Sequence, residues 1–516
     1  MMENLINMVN PVVIPEIIII ITAVILLLFG RRLEKFTGYI AAAGTLIALA
    51  ALLASTSYIE PGQVQVNIYN TINIFYSFDL FAVVFKVLFL SLALLCIIAS
   101  LKYMENRKNM NRKFVDAYYS LFLLSVLGMM AVVSSVDLIT LFVGIEMAAI
   151  PAFVLVAYDF TRKGIEGATK YFLFGAVFSV FMLLGISFIY ITGGSFMFTE
   201  IAENIKDIGD GEKLMLFIGF LAILSTLAFE MSAVPFHLWA PDAYQGAPAP
   251  VSALLSGASK KMAFAAAIKI LVLAVIWFKI EMGIILAILA ILSMIVGNIM
   301  ALGQKDVKRM LAYSSIAQVG YILAAIAIFT PLGMAAAIYY IIVHAFMKGG
   351  AFIAAGAAEV ISGGRIKTCD DYKGLAKRMP AMAFAMACFL FSLAGIVPFG
   401  GFTAKIVVLA SLFIAYITGG SLLAGVLGLV MIITSVISLY YYGRVIKYMW
   451  FSEPKEADME NYDRCKIIGS GNSWRFKEPS SFLIPATLAV LALLILFYAP
   501  PFIELAIEVA NSLNFM

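Results

Sequence analysis

Lys86, Lys260, Lys261, Lys269, Lys348 and Lys405, together with Glu16, Glu146 and Glu230, fall inside otherwise apolar runs of this chain. A charged side chain at the centre of a membrane helix costs about 2.5–3.5 kcal/mol on insertion scales, so such residues are rarely kept without use. Their chemistry suggests the use. A buried Lys is destabilised as a cation, and a buried carboxylate as an anion. A row of such groups, each one or two waters from the next, passes protons because none is locked in one state. Moving a neighbouring charge then changes which group holds the proton. His344 and Lys348 are four residues apart and share a helix face, as a relay needs. For Lys86, Lys269 and Glu16, snorkelling to the interface is an equally good reading. Glu146, Glu230, Lys260 and Lys405 sit deep in apolar sequence or beside helix breaks, where snorkelling fails.

The elements that must hold these residues are membrane helices. Of 516 residues, 63% are hydrophobic and 13% charged, where soluble domains have about 45–50% and about 25%. That excludes a water-soluble enzyme, and a net charge of +4 is too weak to point to a nucleic acid. Cys96, Cys369, Cys388 and Cys465 are scattered, and there are 2 histidines, so no zinc, iron–sulfur or other redox cofactor is expected on this chain. At about 20 apolar residues per crossing, fourteen candidate spans are expected between residues 12 and 503, among them 250–278, 282–302, 380–416 and 481–503. The first has no basic leader or small-residue cleavage site and reads as a retained helix. The alternating stretch 56–78 reads as a short hairpin outside the bilayer.

Lys and Arg fall mainly in alternate loops: Arg31, Arg32 and Lys35, those in 102–113, then Arg162, Lys163 and Lys170, then Lys305, Lys308 and Arg309, and those in 365–378 and 444–477. The other loops hold only Lys206, Lys213 and Lys279. The positive-inside rule then puts both termini outside.

Two spans are broken. One runs into VPFHLWAPDAYQGAPAP, with Pro235, Pro241, Pro248 and Pro250; the other contains SLAGIVPFGGFTAK, with Gly395, Pro398, Gly400 and Gly401. Proline removes a backbone donor, and in hydrocarbon such breaks survive only where they line a polar cavity or are buried in protein. Each broken span is the fourth of five, in spans 4–8 and again in 9–13. Five is odd, so the second set enters from the opposite side, the trace of an inverted repeat. The expected fold is thus all-α and polytopic: an N-terminal three-helix segment (1–110), two inverted repeats (111–278 and 279–448), a cytoplasmic loop (449–480) and a C-terminal helix (481–516).

The run PFHLWAPDAYQGAPAPVSALLSGASK resembles the antiporter-like membrane subunits of respiratory complex I and its relatives, as do KRMLAYSSIAQVGYIL, HAFMKGGAF and SLAGIVPFGGFTAK. Within that family, IPEIIIIITAVILLL, LFVGIEMAAIPAFVLVAY and YKGLAKRMP look most like subunit N of NADH–quinone oxidoreductase, which has an equivalent in the archaeal coenzyme F420-dependent dehydrogenases. The resemblance implies fourteen helices, two inverted half-channels and a polar axis along the membrane plane. It implies proton pumping in the cell membrane, coupled to reduction of a quinone or analogous carrier elsewhere in the complex. The partners implied are other membrane subunits, a peripheral arm and lipid. Carried over by position, Glu146 matches the interface glutamate, Lys260 the lysine closing the ASK motif, with Lys261 beside it, Lys348 the central lysine with His344 before it, and Lys405 the lysine of the outlet half. Glu230 departs from the pattern, which usually has a Lys there. Two adjacent carboxylates do not both ionise readily in low dielectric, and Lys260 or Lys261 is expected to supply the counter-charge. Rival readings are a multisubunit sodium/proton antiporter, a membrane-bound hydrogenase subunit and a non-pumping structural spacer.

Overall fold

The computed structural model describes residues 11–33, 35–56, 66–67, 76–106, 114–453, 467–468, 475–476 and 478–512. The helices are α1 (Ile14–Phe29), α2 (Thr37–Ser55), α3 (Leu80–Asn106), α4 (Val115–Ser134), α5 (Leu138–Val156), α6 (Arg162–Gly193), α7 (Phe198–Asn204), α8 (Asp210–Met231), α9 (Trp239–Gly246), α10 (Ala249–Leu254), α11 (Lys260–Leu302), α12 (Val307–Ala327), α13 (Pro331–Ile361), α14 (Leu375–Arg378), α15 (Pro380–Ala394), α16 (Gly400–Gly419), α17 (Leu422–Phe451), α18 (Ser480–Ile495) and α19 (Pro500–Ser512). Among the described residues, 11 helices are long and apolar enough to cross a membrane, or 12 if the bent pair α18–α19 is one span, and α1 and α15 are shorter apolar helices. The chain is an all-α polytopic membrane protein. Helix is the only open-ended element that satisfies every backbone group in hydrocarbon, and side-chain caps start several of these: Asp137 on Thr140, Thr161 on Gly164, Asp306 on Arg309 and Thr330 on Gly333.

Burial divides the helices by role. α12 and α13 are buried almost throughout, whereas α1, α6 and α17 present Leu28, Val180, Ile191 and Val436 outward as an apolar rim. His344 and Lys348 ride on α13, and the other buried ionisable residues lie on the inward faces of less buried helices. Close approach needs small residues: a Cβ on Gly297 of α11 would lie 2.5 Å from the Ala317 nitrogen of α12.

Several boundaries differ from expectation. The spans 250–278 and 282–302 abut as two helices at Phe278, which leaves helical geometry (φ −121°, ψ 34°), so that no loop separates them. The span 380–416 is two helices, α15 and α16, with the break between them. The single span 481–503 is instead two helices meeting at 83°, because Pro500 and Pro501 end hydrogen-bonding to the preceding turn. In the 56–78 stretch, β1 (Val66–Asn67) pairs antiparallel with β2 (Ser77–Phe78), and in the 449–480 loop β3 (Ile467–Ile468) pairs with β4 (Arg475–Phe476). Most of both stretches, and Cys465, lie outside the described residues.

Basic residues of four segments meet in a set of neighbouring contacts. Lys170 and Arg309 meet on Asp242, each at 2.5 Å. Lys308 and Lys367 meet on Glu359, and Arg444 donates to the carbonyls of Leu302 and Gln304. Elsewhere, Asp137 bridges to Met197 and Lys213 sits 4.1 Å over the Trp277 ring.

Candidate proton path

The two breaks share a local design. α8 ends at Ser232 (φ 60°) and α15 at Gly395 (φ 84°), both left-handed caps. Each cap opens a matching pentapeptide, SAVPF at 232–236 and GIVPF at 395–399, and the Val–Pro bond of each is cis. Beyond the first break, α9 and α10 lead into a single π-helical turn, Leu255–Ser259, immediately before Lys260. Such turns widen the helix and re-aim the side chains that follow.

Glu230 lies two residues before the first cap, 4% exposed. The Tyr171 hydroxyl donates to its Oε2 at 3.3 Å. Tyr171 is itself fixed by stacking on Trp239, with ring centroids 3.8 Å apart, and the Trp239 indole donates to the terminal Phe229 carbonyl at 3.1 Å. Glu146 on α5 accepts from Ser179 at 2.5 Å and is within electrostatic reach of Glu230. Both carboxylates are therefore served by hydroxyls of α6.

Lys260 and Lys261 are fully buried but do not serve Glu230 as counter-ions. Lys260 turns to Ser315 (3.4 Å) and the face of Tyr244 (5.0 Å to the centroid). Lys261 donates to the Ser256 carbonyl at 2.7 Å and contacts His344 Nδ1 at 2.6 Å. The divergence follows from helix geometry, since consecutive residues at the start of α11 point about 100° apart. One turn beyond His344, Lys348 donates to the Leu311 carbonyl at 2.9 Å and to the Ser314 hydroxyl.

From Ser314 the route continues on the same face of α12 to Gln318, one turn on, whose Oε1 accepts from Tyr340. Tyr340 and Tyr321 have ring centroids 6.3 Å apart, and Lys405 Nζ is 5.5 Å from the Tyr321 centroid. Lys405 donates to the Ala394 carbonyl at 3.0 Å, at the C-terminal end of α15. Its stem crosses Gly395, where a Cβ would lie 2.9 Å from the lysine Cδ.

Ser314, Ser315, Gln318, Tyr321, Tyr340, Tyr171 and Tyr244 were not singled out in the sequence. The available signal was the four-residue spacing of Ser314 and Gln318 in a helix buried on every side. Among the described residues, His344 Nε2 and Gln318 Nε2 on this line have no hydrogen-bond partner. Buried polar groups that protein does not satisfy are sites for ordered water, which is the material of a proton path.

The three residues open to a snorkelling reading are held inside. Lys86 is fully buried and pairs with Glu16 at 2.9 Å, while Tyr76 donates to the same Glu16 oxygen at 2.6 Å. Lys269 donates to the Val133 and Ser135 carbonyls at 2.5 and 2.7 Å, capping the negative end of α4. Among the described residues, no group of His, Cys, Asp and Glu is arranged to hold a metal.

Residues 135–434 match a family model for the membrane part of NADH:quinone oxidoreductases and Mrp antiporters. The F(420)H(2) dehydrogenase subunit N of Methanosarcina mazei is 37% identical over 514 residues, covering 97% of this chain and 98% of that one. A chain of the archaeal membrane-bound sulfane sulfur reductase superposes with a TM-score of 0.84 at 26% identity, covering 97% of each. A chain of respiratory complex I from Thermus thermophilus superposes at 0.72, also at 26% identity, over 94% of this chain and 97% of that one. Alignment over most of its length, together with the buried lysines and paired breaks, makes this chain a member of the NADH:quinone oxidoreductase/Mrp antiporter membrane family.

Proposed function

We propose that the chain translocates protons as the antiporter-like subunit of a complex I-type oxidoreductase, using Glu146, Glu230, Lys260, Lys261, His344, Lys348 and Lys405. Electron transfer to a quinone-like acceptor takes place on partner subunits, and a peripheral arm completes the complex. The observation that carries this reading is the line Lys261–His344, Lys348–Ser314, Gln318–Tyr340 and Tyr321–Lys405. It alternates groups that hold a proton with groups that pass one, across helices buried from lipid.

The architecture within this reading is fourteen spans in two inverted five-helix repeats. Its support is the matched caps and pentapeptides at the two breaks. A cell-membrane location with both termini outside follows from the Lys and Arg gathered in alternate loops, taken as the cytoplasmic side.

The test is proton translocation per electron pair by the whole complex in vesicles. Lys260→Ala or Lys405→Arg should abolish or sharply reduce it, with the complex assembled. Arg fails because it does not release its proton. Normal pumping in both variants would favour the spacer reading, which the absence of an ion pair on Glu230 among the described residues supports.

A further inference from the structure

At the cluster of basic contacts, a cavity of about 40 Å³ opens among Lys163, Gln245, Asp306, Lys308, Glu359 and Lys367. It is large enough to hold ordered water. Glu359 faces it from α13, 8% exposed, with Oε2 3.6 Å from Lys308 and Oε1 3.4 Å from Lys367. Lys308 is nearly buried, whereas the Lys367 side chain is 51% exposed. One side of this carboxylate thus faces inward and the other faces the aqueous mouth.

The position of Glu359 on its helix is the second observation. It follows Lys348 by three turns of α13, about 16 Å along the axis and within about 20° of the same face. Ala355, one turn inward, also lines the cavity, and with Ala351 it forms a small-residue edge beside the fully buried Phe352 on the way to Lys348. On the facing helix, Lys308 donates to the Ala247 carbonyl at 2.7 Å, just past the first helix break. The Glu359 partner is thereby tied to the segment that leads to Lys260.

We propose that Glu359 is the proton-uptake site through which Lys348 is loaded from the basic face. This rests on the reading of Lys348 as a proton carrier. The carboxylate takes a proton from cavity water at one oxygen. It then passes it by way of water beside Ala355 to the free amine of Lys348, so Glu359 returns to the carboxylate and Lys348 becomes the ammonium. Lys308 is a positioning residue that holds Glu359 against the break. Charged and titratable groups facing Glu359 include Lys308 of α12, Lys367 and Tyr372 of the following loop, and, across the cavity, Lys163 of α6 and Asp306 at the start of α12.

The experiment uses the assembled complex in inverted vesicles, with charge movement read as membrane potential so that an added permeant weak acid does not cancel the signal. Glu359→Gln is expected to slow charge movement at least tenfold at pH 7.5. The remaining rate should rise about tenfold per unit as the pH on the basic face is lowered, and acetate should restore it in part. Wild type should show neither dependence, and Glu359→Asp should recover most of the rate. Ala355→Val, which removes no charge, should slow uptake without abolishing it and keeps the proposal testable if Glu359→Gln does not assemble. A wild-type rate in Glu359→Gln, or a slowed rate indifferent to pH and acetate, overturns the uptake role. The same holds for Ala355→Val where that variant carries the test. Lys348→Ala is measured alongside: its failure to pump beside a normal Glu359→Gln leaves the proton-carrier reading standing, and normal pumping in Lys348→Ala removes both.

Discussion

The Lys261 ammonium nitrogen and His344 Nδ1 lie 2.6 Å apart between two residues that are each fully buried. A hydrogen bond between two nitrogens requires one of them to offer a lone pair, so the contact holds one proton between the two groups. The Ser256 carbonyl takes a second hydrogen from Lys261, which fixes the amine in direction. The two residues therefore titrate as one site rather than as independent ones. Lys348, one turn further on α13, is the next group able to receive that proton.

His344→Asn tests this pairing. Asn has an oxygen that can still accept from Lys261, but it neither binds nor releases a proton near neutral pH. Translocation should fall by about 100-fold, with assembly and electron transfer to added quinone retained. Wild-type pumping in His344→Asn would mean that protons bypass His344.

The Glu16–Lys86 pair makes a stability prediction of a different kind. Breaking a buried pair from one side leaves an uncompensated charge and costs about 3–5 kcal/mol, whereas replacing both partners with apolar groups is often near neutral. Lys86→Met alone should therefore lower the thermal midpoint of the purified complex, and so should Glu16→Leu alone. The double variant should recover most of the loss. A double variant as unstable as the sum of the two single ones would show that the two side chains act independently.

What the sequence made legible follows from which residues are costly in a membrane. Lysines and glutamates stand out of apolar runs because of their insertion cost, and prolines mark the two breaks, so Lys260, Lys348, Lys405 and the breaks were visible by type and position. Ser314, Tyr340 and Tyr171 were not, because a hydroxyl is tolerated in a membrane helix and carries no comparable signal. The Glu16–Lys86 pair was invisible for another reason. Their partnership depends on α1 packing near α3 and on Tyr76 between them, and spacing along a chain carries no information about that. Lys269 belongs with them, since its partners are backbone carbonyls at the end of a helix more than a hundred residues earlier. The bend at 83° between α18 and α19 was legible in principle. Pro500 and Pro501 are there to be read, and the span drawn across them weighed apolar length over the loss of two backbone donors.

Gly395 is the position where conformation and site meet. Its φ of 84° is left-handed, and a Cβ there would lie 2.9 Å from Lys405 Cδ and 3.3 Å from Nζ. Gly395→Ala should cost about 1–2 kcal/mol for the backbone alone and should also push Lys405 off the Ala394 carbonyl. The expected outcome is a complex that assembles with a lowered thermal midpoint and with proton translocation reduced more than electron transfer. Gly363, also at positive φ (67°) but with open space around its Cβ position, is the control: Gly363→Ala should carry the backbone cost without the loss of pumping. Equal losses of pumping in the two variants would detach Gly395 from the Lys405 site.

Glu230 stands where the resemblance implies a lysine, and its surroundings give a carboxyl group there a physical meaning. It is 4% exposed, its recorded donor is the Tyr171 hydroxyl at 3.3 Å, and the nearby lysines are turned to Ser315, Ser256 and His344 instead. A carboxylate kept at this depth without a cation is costly as an anion, so a change in its protonation answers readily to a change of charge on Glu146. That is the behaviour of a switch, obtained with two acids in place of an acid and a lysine. Glu230→Gln keeps the shape and can still accept from Tyr171, but it cannot titrate. Proton translocation per electron pair should therefore fall, while the thermal midpoint stays the same or rises because a buried titratable acid has been replaced by a neutral amide. Tyr171→Phe removes the donor and leaves the carboxyl, so it should weaken pumping less than Glu230→Gln does. Unchanged stoichiometry in Glu230→Gln would make Glu230 a bystander and confine proton movement to the lysine line from Lys260 onward.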